Sequence, residues 1–126
     1  DKNIELTSVD EVIGFISRLV KSNFNSSPYF LSTTLPNKNI MHFGIGAAPN
    51  HIIVLFQPYS ISEDCKISCD TSQTYENSPV IKFVYPHSTF IFECNEYNLL
   101  SFDFILSRLH SLLVNGDMSC IPCYSH

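Results

Sequence analysis

Apolar positions follow a helical spacing near both ends of the chain and a strand-like spacing between them. Val12, Ile13, Phe15, Ile16, Leu19 and Val20 recur three to four residues apart, which gathers side chains on one helix face. Just upstream, Ser8-Val-Asp-Glu11 has the form of a capping box: the Ser8 hydroxyl accepts from the Glu11 amide, and the Glu11 carboxylate reaches back to the Ser8 amide. The stripe ends at "KSNFNSS", where Ser and Asn side chains compete for backbone hydrogen bonds. These signals predict a helix over residues 9–22.

Beyond Pro28 the period shortens. "YFLSTTL", "IMHFGIG" and "HIIVLFQP" are β-branched and aromatic runs separated by the turn-forming "PNKN" and "AAPN", the pattern of three strands in a meander. "VIKFVYP" and "STFIFEC" add two strands, with Pro86, His87 and Ser88 at the junction of a tight hairpin. Residues 59–79 are mostly polar and alternate only weakly around Cys65 to Cys69, so they read as a long loop or an irregular edge strand.

The helical spacing then returns. Ser101 stands as an N-cap, Leu100 and Ile105 as a hydrophobic staple, and Phe102, Ile105, Leu106, Leu109, Leu112 and Leu113 as one buried stripe. Gly116 fits the left-handed position that stops a helix. "MSCIPCY" predicts a short terminal strand, which Pro122 confines to a sheet edge or a ladder end. The fold class expected is α+β: one domain over residues 1–126, an antiparallel sheet of five to six strands packed with an N-terminal and a C-terminal helix.

Composition narrows the function. Apolar residues make up 44% and charged residues 15%, an ordinary globular balance, and no apolar stretch approaches the roughly 20 residues of a membrane span. Twelve acidic residues against seven basic ones give a net charge of −5. Lys2, Arg18, Lys21, Lys38, Lys66, Lys82 and Arg108 stand singly along the chain. Direct nucleic-acid binding is therefore not expected, because neutralising phosphates takes clustered cations. An acidic surface suits a basic protein partner instead. Five cysteines are an odd number, and a chain with this much core needs no disulfide staples, which suits a reducing cytoplasm.

Several strings look chemical. Cys65-x3-Cys69 and Cys120-x2-Cys123, with His110 and His126, could be assembled into a zinc site, and Cys120-Ile-Pro-Cys123 has thioredoxin spacing. The redox motif, however, sits at the start of a helix, where the dipole favours the thiolate; this one follows a helix. Cys94 with His87 is an arithmetically available nucleophile pair. A small cysteine-based zinc-binding or thiol-redox protein is thus the alternative reading. Gly44-Ile-Gly46 lacks the lysine and helix start of a phosphate loop, and inside a strand it marks a bulge or a close backbone approach. The preferred expectation has no enzyme activity, no cofactor and no metal.

The long polar segment offers a different chemistry. Glu63, Asp64, Asp70 and Glu76 interleave there with Tyr59 and Tyr75. Tyrosines give rigid amphipathic contact area while carboxylates steer a basic partner, so these six residues form the candidate binding surface.

The layout as a whole resembles one family. The capped first helix, "PYFLSTTL", "NIMHFGIG" with Gly44-Ile-Gly46, "HIIVLF", and "SFDFILSRLHSLLVNGDMSCIPCY" are together similar to the Imm1 family of bacterial immunity proteins, over about residues 9–124. The chain departs from that pattern in carrying Cys123 and Tyr124 where a Trp commonly closes the last strand. The resemblance implies a cytoplasmic antidote that binds and neutralises the C-terminal toxin domain of a contact-dependent growth inhibition or polymorphic toxin system. Such toxins are often nucleases, hence basic. No catalytic residues are implied.

Overall fold

The structure, a computed structural model, describes residues 8–22, 28–84 and 91–126. Helix α1 (Val9–Lys21) is followed by strands β1 (Tyr29–Thr34), β2 (Ile40–Ala48), β3 (His51–Gln57), β4 (Lys66–Ser68), β5 (Val80–Val84) and β6 (Ile91–Asn95). A 3-10 turn (Glu96–Asn98), β7 (Leu100–Ser101), α2 (Phe102–Leu106), α3 (Leu109–Asn115), a second 3-10 turn (Met118–Cys120) and β8 (Cys123–Ser125) complete the chain. The fold is α+β, as expected.

The first helix forms as its local signals dictate. The Ser8 hydroxyl accepts from the Glu11 amide at 3.2 Å, Asp10 and Glu11 occupy the first turn, and Arg18 and Lys21 the last, so both ends complement the helix dipole. Ile16 and Val20 are buried, and Val12, Ile13 and Leu19 pack beside them on the main core.

Strands β1, β2 and β3 form the meander, in antiparallel register with Phe30 opposite Gly44 and Phe43 opposite Val54. The sheet is larger than expected and mixed. Its order is β6-β5-β1-β2-β3-β4-β8, with β7 also paired to β3, and β1 meets β5 in parallel at Tyr29 and Val84. Residues 66–68 correct the sequence-based reading of an edge: β4 is paired on both sides, by β3 and β8. Burial of Ile67, Ser68 and Cys69 explains why this short piece of a polar segment enters the sheet. Strand β8 takes the outer position at the end of the order, where Pro122 precedes it. The hairpin expected at Pro86, His87 and Ser88 lies outside the described residues.

Strands β2 and β3 are each buried over five consecutive residues, so both faces of the sheet centre are covered. Met41, Phe43, Ile52, Val54 and Phe56 meet the helices in the larger core. On the other face the sheet covers itself: Phe30, Ile53, Leu55, Ile67, Phe83 and Cys94, from five strands, form a second core. The curl depends on Gly44. A Cβ there would lie 2.8 Å from Phe83 Cε2, a distance real Cβ atoms essentially never reach, and a tight 3.2 Å from Phe30 Cε1. The ladder also slips between Gly44 and Ala48, with Gly46 at φ 97°, so both the close approach and the bulge expected of this glycine pair occur.

The predicted second helix is in fact two. The chain breaks at Ser107–Arg108, where the Arg108 guanidinium donates to the Cys120 carbonyl at 2.9 Å and stacks 3.9 Å from the Phe104 ring centroid, while the Ser107 hydroxyl donates to the Phe104 carbonyl. Ile105 and Leu109 remain fully buried on either side, whereas Leu106, expected in the stripe, turns outward. Ser101 precedes α2 without a side-chain cap bond. Gly116 ends α3 in the left-handed region at φ 63°, as the sequence requires.

Candidate functional site: two acidic loops and a tyrosine-lined groove

Strand β4 is only three residues long, and its two ends launch the loops that hold all six candidate residues. Tyr59, Glu63 and Asp64 lie before it, and Asp70, Tyr75 and Glu76 after it. The six therefore form two groups separated by β4.

The first loop presents apolar surface outward. Its entry is fixed by the Tyr59 amide, which donates to Asn39 Oδ1 at 2.8 Å, and Lys38 Nζ lies 5.2 Å from the Tyr59 ring centroid. Tyr59 is 67% exposed and Ile61 fully so, while Glu63 and Asp64 stand beside them in solvent. Ile61 escaped the sequence reading, because an isoleucine in a polar segment carries no signal until its side chain is seen to meet nothing. Glu63 also borders a recess of about 430 Å³ shared with Lys66, Asp117 and Tyr124.

In the second loop Asp70 is a structural residue. Its carboxylate accepts from the Ser72 amide and hydroxyl at 3.0 and 2.7 Å and from the Gln73 amide group at 2.9 Å. These bonds, the Ser72 hydroxyl foremost, hold its pKa below the usual aspartate range. Its accepting capacity is largely used within the loop. Tyr75 is 60% exposed and meets the Tyr97 ring edge-on at 5.7 Å. Tyr97 lies 6.2 Å from Tyr124, whose phenol oxygen accepts from Asn98 Nδ2 at 3.1 Å. The Cys69 thiol beside the Tyr97 phenol is the main cause of that phenol's raised pKa. Tyr124 packs on the second core.

The tyrosines open onto a groove of about 620 Å³ whose walls come from opposite ends of the sheet order: Glu93 and Asn95 of β6 on one side, Tyr124 and Ser125 of β8 on the other. His126, just past β8, stands 5.3 Å from the Phe92 ring. Tyr97 and Glu93 carried no signal in the sequence, and Tyr124 stood out only for its place in the last strand, because only the curl brings "NEYN", "CYS" and "TYEN" together. Among the described residues no Lys or Arg lines this groove.

The polar groups inside the sheet are mutually satisfied. Ser68, fully buried, accepts from the Val54 amide at 3.0 Å and donates to the Asn98 carbonyl at 2.8 Å, and Asn98 Nδ2 donates to the Ser68 carbonyl at 2.9 Å. His42 is buried between Ser32 Oγ (2.6 Å from Nδ1) and Gln57 Oε1 (2.8 Å from Nε2). Burial lowers its pKa, against the Gln57 bond, so the neutral ring donates to Gln57 and accepts from Ser32.

The cysteines are free thiols, and Cys94, Cys120 and Cys123 have raised pKa values. Burial pushes Cys94 up to about 12. Burial first, and the Asp117 carboxylate second, raise Cys120; burial likewise raises Cys123. Cys120 Sγ donates to the Asp117 carbonyl and Cys123 Sγ to the Met118 carbonyl. His87, the base considered for Cys94, lies outside the described residues. Among the described residues no three His, Cys, Asp or Glu side chains converge closely enough to hold a metal ion, and no helix is long and apolar enough to cross a membrane. No protein-family model, curated protein or solved structure matches the chain.

Proposed function

We propose that this chain is an immunity protein, a non-enzymatic inhibitor that binds a basic toxin domain, of nuclease type, in the cytoplasm and neutralises it. One observation carries the reading. The loops at the two ends of β4 hold the exposed Tyr59, Ile61 and Tyr75 next to the exposed carboxylates Glu63, Asp64 and Glu76. Exposed apolar anchors beside polar, charged residues are the composition of a protein interface, and the carboxylates fit a cationic partner. The layout resembling the Imm1 family supports the same reading. Raised thiol pKa values give the cysteine-based alternative little support, since metal binding and thiol exchange both use the thiolate.

The test is co-expression with the C-terminal domain of a large secreted protein encoded upstream. Protection of the host and a 1:1 complex are expected. Reversing Glu63 and Asp64 to Lys is expected to slow association roughly ten-fold at low salt and flatten its salt dependence. Unchanged kinetics with a folded variant would exclude that face.

A further inference from the structure

The groove between β6 and β8 combines two properties that point to one occupant. Along β6 the Glu96 amide donates to the Pro79 carbonyl, and Val80 pairs with Asn95. Antiparallel ladders alternate, so the hydrogen-bonded pairs are Ile81 with Cys94 and Phe83 with Phe92. The backbone amide and carbonyl of Glu93 therefore point away from β5. Along β8 the Cys69 amide donates to the Pro122 carbonyl and the His126 amide to the Cys65 carbonyl. By the same alternation Tyr124 is bonded to Ile67, and the backbone groups of Cys123 and Ser125 point away from β4. Both strands end the sheet order, and residues of both line the same groove. Open edges are templates for another strand.

The lining states the second property. Glu93 and the phenols of Tyr75, Tyr97 and Tyr124 border the groove, with no Lys or Arg among the described residues, and Lys82, opposite Glu93 on β5, stays outside that lining. Phenol faces and a carboxylate suit a guanidinium, which stacks on aromatic rings and pairs with carboxylates; Arg108 already stacks on Phe104 in this way.

Resting on the inhibitor reading, we propose that the groove receives an extended arginine-bearing segment of the partner, which pairs with the outward backbone groups of β8 and lays a guanidinium among the tyrosines beside Glu93. The occupant is the partner's own chain, and binding adds a strand to the sheet end.

The test uses the whole chain and a synthetic acetylated Arg-Val-Arg-Val-Arg-Val amide, followed by amide and tyrosine-ring NMR shifts. Saturable shifts and slowed amide exchange at Cys123, Ser125 and Glu93, with ring shifts at Tyr75, Tyr97 and Tyr124, are expected. Backbone N-methylation of the peptide, a Glu-for-Arg peptide, Glu93→Lys and Ser125→Pro should each weaken binding at least ten-fold; the last removes an outward amide and no β4 bond. Equal binding of the N-methylated peptide, shifts confined to residues 59–65, or edge shifts caused by pairing of two copies of this chain would overturn the proposal. Hydrogen exchange in the toxin complex separates the two readings: protection of residues 59–65 without Cys123 and Ser125 leaves the inhibitor standing and removes the groove.

Discussion

Replacing Ser68 with Ala removes one oxygen and orphans two buried groups. The Ser68 hydroxyl is the acceptor for the Val54 amide and the donor to the Asn98 carbonyl, at the point where the β3–β4 ladder, last paired at Leu55 and Ile67, gives out. It takes the place of a ladder acceptor. Ser68 is fully buried and Asn98 1% exposed, so water does not readily replace the lost bonds. Each stranded group costs about 1–3 kcal/mol, giving roughly 2–6 kcal/mol, a large share of the roughly 5–15 kcal/mol that holds a typical domain folded. At about 3–5 °C per kcal/mol for a chain of this size, Tm should fall by about 6–30 °C. The assay is urea unfolding followed by far-UV circular dichroism and by tyrosine emission, usable because the chain has six Tyr and no Trp. Ser60→Ala, whose hydroxyl bonds Ser62 in an exposed loop, is the control and should stay within about 0.5 kcal/mol. A Ser68→Ala loss no larger than the control's would refute the claim that this hydroxyl joins β3, β4 and the turn before β7.

Other expectations follow from the same geometry. Gly44→Ala should destabilise by about 1–3 kcal/mol through overpacking against Phe83 and Phe30, and Phe83→Leu in the same chain should recover part of that in a double-mutant cycle. Asp70 has a folded pKa below its unfolded one, so its contribution is present above the unfolded value of about 3.9 and lost as pH falls through the folded value. Asp70→Asn should therefore shallow the acid limb of a stability–pH curve and leave the limb above pH 7 unchanged. Cys94 has the opposite sign, an acid whose folded pKa rises to about 12. The unfolded thiol ionises first, so stability should fall between about pH 9 and 12, and Cys94→Ala should remove that part of the fall. In native thiol titration Cys94 should react far more slowly than Cys65.

What the sequence disclosed was whatever is decided locally. The Ser8 cap, the α1 stripe, the β1–β3 meander and the left-handed stop at Gly116 each depend on residues within one or two turns of one another. Gly44 was legible as a close approach, but not its neighbour, since Phe83 arrives from a strand forty residues later. Strand β4 was legible only as a weak alternation, a loop or an edge strand, because three residues set no clear period; its place inside the sheet comes from β3 and β8. The break at Arg108 depends on the Cys120 carbonyl, which no helical pattern within residues 101–115 contains. The candidate surface divided for the same reason: one polar segment in sequence becomes two loops once β4 is threaded between them, and Tyr75 finds Tyr97 and Tyr124 only through the curl.

The most direct measurement of the proposed inhibitor role is binding of the purified chain to the C-terminal domain of any large secreted protein encoded upstream, by calorimetry together with an assay of that domain's own activity. The account predicts a 1:1 complex whose formation abolishes that activity, with association that slows as salt is raised. A folded chain that neither binds nor inhibits the domain, or one that carries one zinc and unfolds on chelation, would contradict it.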